Sequence, residues 1–146
     1  MKNKIETYKL LYDGFSLICH QLTSRSLCLF DDGIRDCVAQ ADSKEKIVTV
    51  DGKRGYKFPV CSRDMSFYFF MLVGGILLPF FMDVNSKKVP PIYLLVIAIA
   101  PMAIDGLTQA IGLRESTNFI RIVTGGIAGF VVPFYLIPAL NFVIDK

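Results

Sequence analysis

From Ile122 to Ile144 the chain runs for 23 residues without a charged side chain. Most helices of soluble proteins expose one polar face. An uncharged run of this length suits a bilayer, whose apolar core takes about 20 helical residues. Two further runs share the property. Met65–Met82 is 18 residues with no charge, and Val89–Leu113 is 25 residues with one, Asp105. Pro79, Pro101, Pro133 and Pro138 fall inside these runs. In a membrane, neighbouring helices satisfy the carbonyls that proline frees. Pro90 and Pro91 open the second run, where proline is well placed. The pattern predicts an all-α integral membrane fold with three transmembrane helices, at 65–82, 90–113 and 119–144, in a membrane domain over 65–146.

The charges lie elsewhere. Residues 1–64 hold 20 of the 29 charged side chains, although 53% of the whole chain is hydrophobic. That division excludes a fibrous or wholly disordered chain and disfavours a soluble domain. Within 1–64 the tally is 11 basic against nine acidic residues, and the net charge of the chain is +3. No basic stripe of the kind nucleic acid requires is present, so the expected partner is the lipid bilayer and not a nucleic acid.

Residues 1–64 read as a cytosolic or interfacial segment. Leu11, Phe15, Ile18 and Leu22 share one helical face, with Asp13, Ser16 and His20 on the other. This predicts an amphipathic helix over 5–30, lying on the membrane or against the bundle, with an ordinary surface helix as the alternative. Residues 31–46 are polar and read as loop. Within 47–60, Ile47–Val50 and Tyr56–Val60 flank Asp51-Gly52 and resemble a short β-hairpin, with Lys53-Arg54-Gly55 counted into its loop. The apolar stretch after Lys2, Lys4 and Lys9 is interrupted by Asp13, Gly14 and His20, unlike a cleavable signal.

Lys53, Arg54, Lys57, Arg63, Arg114 and Arg121 fall on one side of the predicted spans, and Lys87, Lys88 and Lys146 on the other. Six against three places the N-terminus in the cytoplasm and the C-terminus outside, in a multi-pass protein of the cell membrane. The four cysteines would then be reduced, which favours thiol or metal roles over disulfides.

A carboxylate inside a membrane helix costs roughly 2.5–3.5 kcal/mol, which makes Asp105 the most informative residue. Gln109 lies one turn later on the same face. Arg114, Ser116, Asn118 and Arg121 follow, with Ser116 the expected N-cap of the third span. Arg63 and Asp64 open the first span, and Cys19, His20 and Cys61 precede it. Span order puts all of these at one membrane boundary. Arginines, serine, asparagine and a helix N-terminus suit a phosphate or another anion; Arg63, Gln109, Arg114, Ser116, Asn118 and Arg121 form that expected set. Asp105, with His20 or Asp64, is the candidate for proton transfer. The bland reading is that Asp105 pairs with Arg121 or Arg63 to lock the helices. Cys19, His20, Cys61 and Asp64 are ligand types for zinc or another divalent metal, without the paired CxxC spacing of a strong site. Gly125 and Gly129 form GxxxG, a close-packing seam on the face of Asn118 and Arg121.

Three stretches carry a family resemblance: ICHQLTSRS at 18–26, PVCSRD at 59–64, and the run from Pro101 to Gly129. They resemble domain of unknown function 2085, a family of small predicted membrane proteins. Its members show a Cys-His-Gln opening, a Pro-Val-Cys-x-Arg-Cys segment, and a closing pattern met here by Pro101, Asp105, Gly106, Gln109, Gly112, Arg114, Ser116, Asn118, Arg121, Thr124 and Gly125. The chain departs from the family at Asp64, where the second cysteine of Cys-x-Arg-Cys would stand, which weakens an all-thiol metal site. The resemblance implies a membrane protein with a polar site and specifies no reaction.

Three functions are open. The first is an interfacial enzyme or binding site for a phosphate-bearing or lipid-linked substrate. The second is an oligomeric transporter or channel subunit with the Gly125/Gly129 seam at its interface. The third is a non-catalytic accessory or assembly subunit of a membrane complex, in which the polar cluster only locks and docks.

Overall fold

The computed structural model describes Leu10 and residues 12–15, 22–37 and 45–144. The chain divides into two compact units, Met1–Ser62 and Arg63–Lys146.

The described part of the first unit is built on an antiparallel sheet. Strands β1 (Leu27–Phe30), β2 (Gly33–Asp36), β3 (Ile47–Val50) and β4 (Lys53–Lys57) lie in the order β2-β1-β4-β3. Residues 12–15 are helical. The helix expected to run to residue 30 does not do so: Thr23–Arg25 is a 3₁₀ turn and Leu27–Phe30 is a strand. The residues show why. In LCLF, Cys28 and Phe30 are buried and Leu29 is exposed, the period of two of a half-buried strand. The loop expected over 31–46 contains β2, paired with β1 from Leu27↔Asp36 to Phe30↔Gly33. The fold is therefore not all-α.

The β3–β4 hairpin forms with a shorter loop than its sequence implied. Val50 pairs with Lys53, leaving Asp51-Gly52 as a two-residue turn. Both take positive φ, 51° and 77°, as a turn matched to the strand twist requires. Lys53-Arg54-Gly55 is strand, not loop. A Cβ at residue 55 would lie 2.5 Å from the Phe30 ring, so the glycine makes room for that ring in the core. Cys28, Phe30, Cys37 and Val48 form this core, with Val50 packed against it.

Cys28 and Cys37 are joined by a disulfide. This corrects the expectation of reduced cysteines for that pair. The β1–β2 hairpin brings the two together, since Cys37 N–H donates to the Ser26 carbonyl beside β1. Tyr12, buried at the core's edge, donates its hydroxyl to the Lys57 carbonyl, and Lys46 lies 4.9 Å from its ring centre.

The second unit is helical. α1 (Ser62–Phe81), α2 (Ile92–Ala110), α3 (Asn118–Val131) and α4 (Pro133–Ile144) give three helices long and apolar enough to cross a membrane, α3 and α4 together forming the 27-residue third one. The break at Val132 precedes Pro133, which supplies no N–H to continue the ladder. Pro79, Pro101 and Pro138 lie within helices. α2 is closed off by Gly112, two residues past its end, whose φ of 74° permits two capping bonds, Gly112 N to Gln109 O and Leu113 N to Thr108 O. This closing turn sends the chain back into α3 after a short link.

A polar lock at the mouth of the helical unit

Asp105 lies in the last turns of α2 with a side chain 5% exposed. Three donors meet it. Arg63, from the first turn of α1, gives Nη2 to Oδ2 at 2.5 Å. Ser116 gives its hydroxyl to the same oxygen at 2.9 Å. Arg114 gives Nη2 to Oδ1 at 3.3 Å. The carboxylate therefore ties α1, α2 and the α2–α3 link together.

The local sequence makes room for this. Gly106 follows Asp105, and a Cβ there would lie 3.2 Å from Arg63 Nη1, so the missing side chain admits the guanidinium. Ser116, expected to cap α3, instead gives its hydroxyl to Asp105. Thr117 holds that position, its hydroxyl oxygen accepting from Ile120 N at 3.4 Å. The two arginines differ in setting: the Arg63 side chain is 16% exposed and that of Arg114 55%.

Arg121 is 2% exposed and donates from Nη1 to Asn118 Oδ1 at 3.2 Å, one turn along α3. Gln109 sits on the Asp105 face of α2. Its Nε2 is buried without a hydrogen-bond partner, as is Arg63 Nε. Both are donors, so the cluster presents more buried N–H groups than the acceptors around them satisfy.

The glycine seam packs within the chain. A Cβ on Gly125 would meet the Arg63 carbonyl at 2.5 Å and the Ser66 hydroxyl at 2.6 Å, and one on Gly129 would collide with the Phe67 carbonyl. Gly126 faces the Phe70 ring, and Gly74 of α1 answers by facing the Phe130 carbonyl. α1 and α3 thus approach backbone to backbone, and the transporter reading loses this seam as an interface between copies. Ser66, absent from the sequence-derived set, is buried and donates to the Arg63 carbonyl at 2.9 Å. Its signal was the i+3 spacing from Arg63.

The metal set is not assembled among the described residues. Cys19 and His20 lie outside them, so the proton-transfer role given to His20 does as well. Cys61 is not part of the disulfide. No group of three or more His, Cys, Asp or Glu comes together among the described residues. Two clefts of the helical unit are apolar: one of about 330 Å³ between Phe70, Ile122, Gly126 and Phe130, and one of about 400 Å³ between Phe81, Leu94, Phe134 and Tyr135.

Residues 52–135 match the model of a family described as predicted membrane protein, DUF2085. An uncharacterized protein of Methanocaldococcus jannaschii is 41% identical over 128 residues, covering 88% of this chain and 67% of that protein. An uncharacterized protein of Methanothermobacter thermautotrophicus is 37% identical over 79 residues, covering 52% of this chain and 67% of its own length. No solved structure matches the chain. The matched region runs from the β3–β4 turn to α4 and takes in Arg63, Asp105, Arg114 and Ser116, and the chain belongs to this DUF2085 family of predicted membrane proteins.

Proposed function

We propose that the Asp105 cluster binds a phosphate-bearing or lipid-linked anion at the membrane boundary. The observation that carries this reading is the surplus of donors. Two guanidinium groups share one carboxylate, while Arg63 Nε and Gln109 Nε2 are buried with no acceptor. A buried unmet donor costs about 1–3 kcal/mol, and phosphate oxygens supply the acceptors that would recover it. Arg63 with Asp105 is the fixed part of such a site. Arg114 is its mobile arm, half exposed and at the longest of the three distances. Any chemistry on the bound group would fall to Asp105, the candidate for proton transfer.

The test is phosphate or phosphatidic acid binding by the protein in nanodiscs, wild type beside Gln109→Leu and Arg114→Gln. The reading expects both variants to fold and to bind several-fold more weakly. Wild-type protein that retains neither ligand overturns it. The second reading, a structural lock in an accessory subunit, is favoured by Asp105 holding three donors at once. It expects Gln109→Leu to gain stability with no ligand effect.

The orientation we propose has the N-terminus in the cytoplasm, from the excess of Lys and Arg on that side. The Cys28–Cys37 disulfide suits a cytosol only where such bonds persist, as in hyperthermophiles. Lys88→Cys, between α1 and α2, should react with a membrane-impermeant maleimide in intact cells; protection there, with labelling after lysis, reverses the orientation.

A further inference from the structure

One row of side chains crosses the whole sheet. Ile34 pairs with Leu29, Leu29 with Tyr56, and Tyr56 with Ile47, linking β2, β1, β4 and β3 in turn. Directly paired residues share a face, so these four form a continuous apolar stripe. It lies opposite the core, which Cys28, Phe30 and Val48 line from the other face. All four stripe residues are 47–54% exposed. They leave on the order of 350 Å² of apolar surface open, as large as the largest patch on a typical soluble protein. Half-buried strands that face water alternate apolar with polar; here the row opposite the core is apolar across all four strands, flanked on its own face by Asp36 opposite Leu27 and by Arg54 opposite Thr49.

The geometry points to the bilayer surface as the occupant of this stripe: the sheet lies with its Ile34–Leu29–Tyr56–Ile47 face in the headgroup–acyl boundary. Two observations select lipid over a protein partner. The first is the tether. Phe58 is still hydrogen-bonded to Leu27, so residues 59–61 alone separate the sheet from α1, a reach of roughly 15 Å at full stretch. A sheet so tied to a helix that crosses the membrane is kept within reach of the bilayer surface. The second is composition. Tyr56 is of the residue type that collects at membrane interfaces. Beside the stripe and on its face stand Arg54 and Thr49, a directly opposed pair. They offer a guanidinium and a hydroxyl to lipid phosphate at the height where the stripe enters the acyl region. The inference does not depend on the Asp105 site.

The chain contains no tryptophan, which makes the test direct. Leu29→Trp puts a single fluorophore in the stripe, and Lys53→Trp puts one on an exposed position of the opposite face. Ile34→Trp, on the edge strand, repeats the first probe where packing demands are lowest. Each full-length variant is reconstituted in vesicles of phosphatidylcholine with and without brominated acyl chains. Brominated lipid should quench Leu29→Trp and Ile34→Trp several-fold more than Lys53→Trp, with the order reversed for aqueous acrylamide. Equal acrylamide quenching at all three positions overturns the inference, because the stripe then faces water. Shielding of both stripe probes from both quenchers also overturns it, and assigns the stripe to a protein partner such as a second copy of the chain.

Discussion

Substituting Asp105 by asparagine keeps the shape of the side chain and removes its charge. The consequence is set by what Arg63 and Arg114 do next. Arg63 is anchored in the first turn of α1 with a side chain 16% exposed, and Asp105 at 5% is the acceptor of its Nη2. Breaking such a buried pair from one side leaves an uncompensated charge and costs about 3–5 kcal/mol. Arg114, at 55% exposure, turns to solvent, and its ion pair with Asp105 is worth at most about 1 kcal/mol. The Ser116 hydroxyl gives a bond to a charged acceptor, worth about 1.5–3 kcal/mol. The order of destabilisation is therefore Asp105→Asn, then Ser116→Ala, then Arg114→Gln. The double variant Arg63→Met/Asp105→Leu should be more stable than Asp105→Asn, since an apolar pair of similar volume removes both charges together. Stability is read from unfolding in mixed micelles of increasing dodecyl sulfate, followed by helical circular dichroism. Equal costs for Arg114→Gln and Asp105→Asn, or a double variant no more stable than Asp105→Asn, would refute the assignment of Arg63 as the buried partner.

Gly129→Ala should cost about 1–3 kcal/mol, because its Cβ would strike the Phe67 backbone and no rotamer relieves the clash; Gly75→Ala, with open space around it, should be neutral in the same assay. Reducing Cys28–Cys37, which closes a separation of nine residues, should destabilise the sheet by about 2–3 kcal/mol, and non-reducing peptide mapping should recover the two cysteines linked. The hydrogen bond from Lys53 holds the Asp32 carboxyl below its ordinary value of 3.8, aided by Arg35. A depressed carboxyl gives stability that is present above 3.8 and lost as pH falls through the lower native value. Asp32→Asn should therefore remove this contribution at neutral pH, flatten the acid side of the sheet's stability curve and leave its most acidic end nearly unchanged, as strand-region circular dichroism would record.

The helical unit was readable because the bilayer imposes a requirement that a sequence must meet openly: long uncharged runs, with any charge inside them matched by a partner. Asp105 stood out for that reason, and span order offered Arg63 or Arg121 as its partner; Arg63 is one, Arg121 donates to Asn118, and Arg114, expected only in the anion set, is the second arginine on the carboxylate. Which arginine is buried was not nameable, because it depends on Gly106 leaving a gap over which one guanidinium fits. The N-terminal unit was misread at the point where local signals compete. The helical spacing from Leu11 to Leu22 is real in the sequence, yet it says nothing of Leu27–Phe30, whose alternation over four residues is too short to outweigh a pattern running into it. Gly55 looked like a loop residue by composition; only the Phe30 ring across the sheet explains it as strand. Ser116 and Thr117 are both good N-caps, and the choice between them is made by Asp105, which draws the Ser116 hydroxyl away.

The lock and the proposed ligand site are compatible because the two arginines differ in setting, Arg63 largely buried and Arg114 half exposed. The first turn of α1 is held twice: its backbone by Gly125, against which the Arg63 carbonyl packs, and its side chain by Asp105. A bound anion that drew Arg114 away would leave Arg63 and Ser116 on Asp105, so the helices would stay locked while the ligand was held. A site of this kind can exchange ligand without loosening the fold. It follows that Arg114 is where a ligand effect separates from a stability effect: a change there that alters binding but not unfolding supports the anion reading, whereas a change that moves both together makes Arg114 part of the lock.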